Sequence, residues 1–475
     1  MTFKLAGACA QVCKFCKFLV ARTDRGLGAL GRVADLVEIP SPLSVGATGY
    51  WDRKRFEVIG KVQLDRVGAA SAPWQEFQLC LVDTGETYWV AFAQGRWYAT
   101  RAVQPAPPLP SISSLRPGIP LQLPVAGHVV VGEVGQRKIV SAEGELADIP
   151  VPGAVTAYAD VAGSNGAFGT LDYGDGRTVP PSFFYGSRID PASFKLDSGQ
   201  PLEAAQAEVK AITCPGCGGS LPLVAPGTTE RIVCKYCGSV NDLGQGGAVS
   251  AAGRAPRPPA QPYIPLGAEG TLQGSRVICI GFVVRGTTVE GVRYHWREYL
   301  LYAGPTVGYL WLMEEDDNWK IVTPLSPGDV RVAGMNAVYR GASYGYKQSV
   351  SAQVEHVVGE FYWKVARGET VQATDYEGPG GTVSVEKDST EMSVSFCVPI
   401  SASAVGQAFG IRPPPTASVF ASSGGEAMAG SAGMKTVMWI GIVIVIIIFL
   451  AASGGGSSHS SGGSGVYVGP SYGGK

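Results

Sequence analysis

Trp74, Trp89 and Trp97 recur as Trp296, Trp311 and Trp319, each 222 positions further along the chain. The first of each set opens the same motif, Trp74-Gln75-Glu76-Phe77 and Trp296-Arg297-Glu298-Tyr299. An ungapped aromatic framework at one spacing marks a duplicated domain, so both stretches must satisfy one fold. A later block, Gly144-Glu145-Leu146 with Gly153 and Asp160, returns as Gly359-Glu360-Phe361 with Gly368 and Asp375, at a spacing of 215. The second copy has therefore lost about seven residues between the blocks, a change that surface loops absorb.

The segments between these landmarks read as strands. Phe77-Gln78-Leu79-Cys80-Leu81-Val82 and Tyr88-Trp89-Val90-Ala91-Phe92 flank Asp83-Thr84-Gly85-Glu86, a hairpin signal. The second copy has the same arrangement, Tyr299-Leu300-Leu301-Tyr302 and Tyr309-Leu310-Trp311-Leu312 around Ala303-Gly304-Pro305. With 65 glycines, 33 prolines and no amphipathic run beyond a turn or two at 203–211, the chain is predicted to be mainly β. The expected architecture is two homologous β-barrel or sandwich-like domains at 41–190 and 263–404, a zinc ribbon between them and one C-terminal transmembrane helix. A charged fraction of 16% and a net charge of −1 give no global field toward nucleic acid.

Seven of the ten cysteines fall in or beside C-x-x-C clusters. Cys214-Pro215-Gly216-Cys217-Gly218 and Cys234-Lys235-Tyr236-Cys237-Gly238 form C-x2-C-x16-C-x2-C within 212–243, the spacing of two zinc knuckles. Four thiolates close a tetrahedral shell, so Cys214, Cys217, Cys234 and Cys237 predict a structural Zn2+ with no position left for a substrate. At the N-terminus, within 1–24, Cys13-Lys14-Phe15-Cys16 matches the second knuckle alone, and Cys9 stands nearby. Two readings stand for this partial site at Cys13 and Cys16. Either it is degenerate, or Met1 replaces an internal residue and a C-x-x-C lies upstream in frame. Cys80, Cys279 and Cys397 each sit in an apolar run and read as small buried hydrophobes.

Residues 437–452 carry no charge and no strongly polar side chain. As a helix they span roughly 24 Å, and 436–453 approaches the hydrocarbon thickness of a bilayer. Lys435 precedes the span and no Lys or Arg follows it until Lys475, which places the N-terminal domains in the cytoplasm. Thiolate zinc ligands suit that reducing side. The predicted localisation is thus the cytoplasmic membrane, single-pass and tail-anchored. Linkers at 244–262 and 405–435 and a Gly/Ser-rich tail at 454–475 complete the chain.

No catalytic constellation emerges from His128, His295, His356 and His459, and no G-x-S-x-G, H-E-x-x-H or P-loop pattern occurs. On a strand, Trp and Glu of Trp-x-Glu share one face and the following aromatic takes the other. Trp74, Glu76, Trp296 and Glu298 are therefore the candidate ligand or partner contacts. Against this stands the plainer reading, that Trp covers the sheet while Glu caps a neighbouring donor. Trp89, Trp311, Trp97 and Trp319 read as core or rim.

Taken together, Pro-Leu with spaced glycines, Val58-Ile59-Gly60, Trp-x-Glu-aromatic and the aromatic hairpin resemble the bacterial family called domain of unknown function 4178, over roughly 41–190 and 263–404. The resemblance implies β-rich architecture and a zinc ribbon just before the domain, and confers no catalytic residue. Genes of that family often neighbour those of polyamine-synthesis-like enzymes and small membrane proteins, which implies a membrane-associated system. The second copy departs from the pattern, with Cys279 and Arg297 in place of Val58 and Gln75, which leaves open that the copies bind different things. Three functions are open on this reading. The first is a membrane-anchored, non-catalytic adaptor whose β-domains bind a protein partner or small ligand. The second is an enzyme or sensor for a polar small molecule, polyamine-related on the resemblance, working through Glu76/Glu298 or Asp160/Asp375. The third and weakest is nucleic-acid binding through Arg231, Lys235, Arg254 and Arg257.

Overall fold

The computed structural model describes residues 8–412 except 14, 24–25, 33–40, 68–73, 94–95, 105–106, 148–150, 152, 175–180, 201–210, 226–227, 244–248, 257, 259–260 and 316–317. The predicted membrane span at 436–453, the tail at 454–475, most of the linker before them and the helical turn at 203–210 lie outside the described residues. Among the described residues no helix is long and apolar enough to cross a membrane.

The chain is mainly β, and its strands close two rings. In the first, Lys54–Arg66, Trp74–Leu81, Thr87–Ala93, Arg96–Ala102, Ser182–Arg188, Ala167–Asp172, Val155–Ala162 and Gly127–Leu146 neighbour one another in that order. The last pairs back onto the first through Arg137↔Arg66 to Gly144↔Gly60, completing an eight-stranded barrel. In the second ring the order is Ser275–Val289, Val292–Tyr302, Tyr309–Glu315, Asn318–Leu325, Met392–Ile400, Gly381–Lys387, Thr370–Gly378 and Ala342–Phe361. It closes through Gly281↔Gly359 to Gly286↔Gln353. Position for position, the two rings have the same topology.

Closure depends on the 20-residue strand of each ring, Gly127–Leu146 and Ala342–Phe361, which serves both sides of the barrel. Where each crosses its partner, glycine faces glycine, Gly144 on Gly60 and Gly359 on Gly281. A Cβ on Gly144 would lie 2.2 Å from the Ile59 carbonyl oxygen, and one on Gly359 2.3 Å from that of Ile280. Both also hold φ above +75° (Gly144 +80°, Gly359 +102°), a region that side chains with a Cβ avoid. Thus the repeated Gly-Glu dipeptide marks the seam of the barrel.

Strand alternation then divides each barrel into two surfaces. Phe77, Leu79 and Leu81 point outward, into a cluster with Phe56, Val90 and Trp97 that Leu43, Ile189, Phe194 and Leu196 cover from outside the ring. The matching outer face of the second barrel, with Tyr299, Leu312, Trp319 and Ile321, lies under Ile264, Leu272 and the helix Ala402–Phe409. That helix begins behind the Ser401 side chain, which accepts from the Ala404 amide, and buries Val405 and Phe409. The domain therefore runs past the boundary expected at 404, because the segment after the last strand supplies the cover for its outer face. On the far side, the hairpin Val330–Ala333/Asn336–Tyr339 covers Val383, Val385 and Val394. Trp97 and Trp319 are core residues, 5% and 2% exposed.

The two barrels touch directly. Val134 N–H donates to the Thr390 carbonyl at 2.8 Å, and Asn165 N–H to Asp329 Oδ1 at 2.8 Å. Between them in sequence, the expected 244–262 linker is part sheet. Val249–Arg254 pairs with Ser239–Leu243, because the ribbon leaves an open edge that adjacent chain can satisfy.

Candidate functional site

The four ribbon cysteines stand at the tips of two hairpins, Ala211–Thr213/Ser220–Pro222 and Arg231–Val233/Ser239–Leu243. Each knuckle turns the same way. The Gly218 amide donates to the Cys214 carbonyl and the Gly238 amide to that of Cys234, both at 2.8 Å, with φ of +73° and +76° at the glycines. The turns bring Cys214 Sγ to 3.8 Å from Cys237 Sγ and Cys217 Sγ to 3.8 Å from Cys234 Sγ. All four sulfurs lie within 4.8 Å of one another. Sulfurs about 2.3 Å from the centre of a tetrahedron are about 3.8 Å apart, so these four fit a Zn–S4 shell. Among the described residues this is the one group of three or more side chains arranged to hold a metal ion.

The ribbon is built into the second barrel. Arg231, Ile232 and Val233 pair with Phe361, Glu360 and Gly359 at the end of the long strand, just past its seam. Glu360, 3% exposed, accepts from the Val224 and Ala225 amides at 2.8 and 2.7 Å and from the Thr229 hydroxyl. That carboxylate fixes the loop joining the two knuckles. Burial pushes its pKa up, against the pull of these three donors. Arg231 forks onto Asp242 and onto the carbonyls of Lys364 and Val365. Ala225, Val233 and Ala255 join Val283, Leu300, Tyr309, Val357 and Phe361 in one apolar cluster.

At the N-terminus, Ala10–Val12 docks on the first barrel in the same register, Ala10 on Leu146 and Gln11 on Glu145. Cys9 N–H donates to the Leu146 carbonyl at 2.9 Å, as Glu230 N–H does to that of Phe361 at 2.9 Å. Cys13 and Cys16 therefore hold on the first barrel the place that Cys234 and Cys237 hold on the second. Amides of Cys16 and Phe15 hold the Cys13 thiol below its ordinary pKa.

Trp74 and Glu76 share the inner surface of their strand, as do Trp296 and Glu298. In each copy the indole N–H donates to the carboxylate two residues on, at 2.9 Å for Trp74 and 2.8 Å for Trp296. The plainer reading of these glutamates, as caps of a neighbouring donor, describes this bond. They also do something the sequence did not suggest, since each meets an arginine reaching across the barrel. Arg137, from the long strand of the first ring, lies 3.7 Å from Glu76 and 2.7 Å from Asp172 on the opposite side. Arg285, from the first strand of the second ring, lies 3.1 Å from Glu298 and 3.2 Å from Glu386, three strands away. Contacts between such distant strands can pass only through the interior.

Both interiors thus hold a ladder of charge. In the first, Glu76, Asp160 and Asp172 surround Arg137, with the Thr170 hydroxyl donating to Asp160 at 2.7 Å. In the second, Glu298, Glu386 and Asp375 stand at the matching register, and Gln348 donates to Asp375 at 2.9 Å. Burial pushes Glu298 upward, opposed by Arg285. Burial first, and then the Glu133 carboxylate, raise Asp160 to about 7. Folded, Asp160 keeps a proton that the unfolded chain releases near 3.8. Its contribution to stability is therefore full below that value and lost as pH rises to about 7. Thermal melts between about pH 4 and pH 7 should show stability falling as pH rises, and Asp160→Asn should flatten that slope while keeping the Thr170 bond.

Residues 265–401 match the family described as domain of unknown function (DUF4178). The second barrel is the part of the chain that carries this match. The match spans the whole ring from the strand before it to the residue that caps the last helix, and stops short of the ribbon. No curated protein matches the chain.

Proposed function

We propose that this chain is a membrane-anchored adaptor with two DUF4178-type barrels, the first a second copy of the domain matched at 265–401, each carrying a ribbon knuckle at its mouth. The identical strand orders and the identical docking of the two knuckles support the duplication. The observation that carries the adaptor reading is the ribbon's attachment. A closed four-thiolate centre sits on the barrel's own sheet and is locked there by Glu360, which makes ribbon and barrel one rigid presenting surface. Zn2+ is the ion this set suits best. Residues 436–453 tether the assembly to the cytoplasmic membrane, and its binding partner is a protein at that face.

A second reading has its own support. The interior acids Glu76, Asp160, Glu298 and Asp375 outnumber the arginines that meet them, and Asp160 titrates near neutrality. Such a set suits a sensor or enzyme for a polar, positively charged small molecule.

Crosslinking capture of the full-length protein in native membranes separates the two. The adaptor reading expects a defined partner set that disappears with Cys214→Ser/Cys217→Ser and survives Glu76→Gln/Glu298→Gln. Loss of capture only in the glutamate pair, together with ligand-induced thermal stabilisation of the wild type, would favour the small-molecule reading. Deleting 436–453 should move the protein from the membrane pellet to the supernatant.

A further inference from the structure

The N-terminal knuckle is folded as a metal-binding knuckle although, among the described residues, no second cysteine pair faces it. Cys13 N–H donates to the Phe18 carbonyl at 2.9 Å, as Cys214 and Cys234 amides donate to the carbonyls of Gly219 and Ser239, both at 2.8 Å. Lys17 N–H closes back on the Cys13 carbonyl at 3.0 Å, the bond that Gly218 and Gly238 make in the ribbon. Lys17 holds φ of +58° to do so, a left-handed conformation that disfavours residues with a Cβ. Neither cysteine is in a disulfide, and Cys16 is exposed.

We propose that Cys13 and Cys16 are half of an intermolecular Zn2+ site, completed by the same two cysteines of a second copy of this chain. The complete ribbon shows why a second copy fits. Its four ligands come from two C-x-x-C knuckles facing each other, and a twofold axis through the metal would set two N-terminal knuckles in the same relation. Tip aromatics make the same case. Tyr236 packs across the metal site onto the opposite knuckle, where a Cβ on Gly219 would lie 2.8 Å from its ring. Phe15 holds the position of Tyr236 and is 96% exposed. Across a twofold axis Phe15 of each copy meets Phe18 of the other, which takes the place of Gly219 and is 42% exposed. With a side chain there, the rings pack edge to edge instead of over backbone. Two exposed phenylalanines beside two exposed or half-exposed thiols are unfavourable on a free surface and become buried in this dimer.

Metal binding here forms four Zn–S bonds and releases the thiol protons to solvent, with no change of redox state. Native mass spectrometry of the full-length chain in detergent, loaded with Zn2+ alone, tests the proposal. The expected species is a dimer carrying three ions, one in each complete ribbon and one shared. Cys13→Ser/Cys16→Ser should give a monomer with a single ion. Phe15→Glu, which leaves every ligand in place, should weaken the dimer at least tenfold. A wild-type monomer with one ion, a monomer with two, or a dimer unaffected by the serine pair would each overturn the shared site.

Discussion

Full-length protein carrying Cys214→Ser and Cys217→Ser, or stripped of metal by a chelator, should lose the fold of the ribbon and with it much of the stability of the second barrel. A small two-hairpin module has little apolar core of its own, here Ile212, Leu221, Leu223 and Ile232 around the cysteines. Metal binding supplies on the order of 10 kcal/mol to such a module, more than the hairpins can replace. The effect does not stop at the ribbon. Without the loop at 223–229, the buried Glu360 carboxylate loses the Val224 and Ala225 amides and the Thr229 hydroxyl together. Each lost bond to a buried charged group costs on the order of 1–3 kcal/mol. Leu300, Phe361 and Tyr309 would also lose the cover given by Val233, Ala225 and Ala255. Circular dichroism melts with metal content measured in parallel should show the second barrel's transition moving down as metal leaves. In the Cys214→Ser/Cys217→Ser variant the first barrel, whose own knuckle carries Cys13 and Cys16, should keep its transition. A melt that ignored the chelator would mean that the four sulfurs are not held by a metal.

How far the sequence carried this picture depends on the kind of signal. The β-rich fold was legible because tryptophans and the Gly-Glu seam occupy positions where backbone geometry leaves little choice. Gly144 and Gly359 have neither the φ nor the space for another residue, so drift cannot erase them. The cluster of four cysteines was legible because metal geometry fixes cysteine spacing. Asp172 and Glu386 were within reach, since they stand 214 apart, close to the drifted spacing, but a conservative change between the two acids hid the match. The arginines were out of reach altogether. Arg137 lies on the long strand and Arg285 on the first, so no repeat links them, and only closure of the barrel brings either to its glutamate. Strand Val249–Arg254 was missed for a different reason. Its composition is that of a linker, and pairing with the ribbon edge overrides the weak local preference.

That the two copies supply their interior cation from different strands makes a demanding test of the barrel itself. By strand register, Arg285 takes the place that Leu64 holds in the first copy, and Ala352 the place of Arg137. Arg285→Leu alone should destabilise the second barrel by up to about 3 kcal/mol, since Glu298 would lose its cation in a mostly buried setting, while the partly exposed Glu386 would lose a pairing that solvent screens. Ala352→Arg alone should also destabilise, by crowding a second guanidinium into an interior where Ala352 is 1% exposed. Combined, the two changes rebuild the arrangement of the first copy. Leucine then packs beside Trp296 as Leu64 does beside Trp74, and arginine approaches Glu298 from the long strand as Arg137 approaches Glu76. The double variant should therefore recover more than half of the loss, a coupling far outside the few tenths of a kcal/mol expected of independent sites. Denaturant melts of the four proteins in the cycle measure it. Additive losses would mean that the two positions do not share one interior, and the through-barrel ion pairs would have to be abandoned.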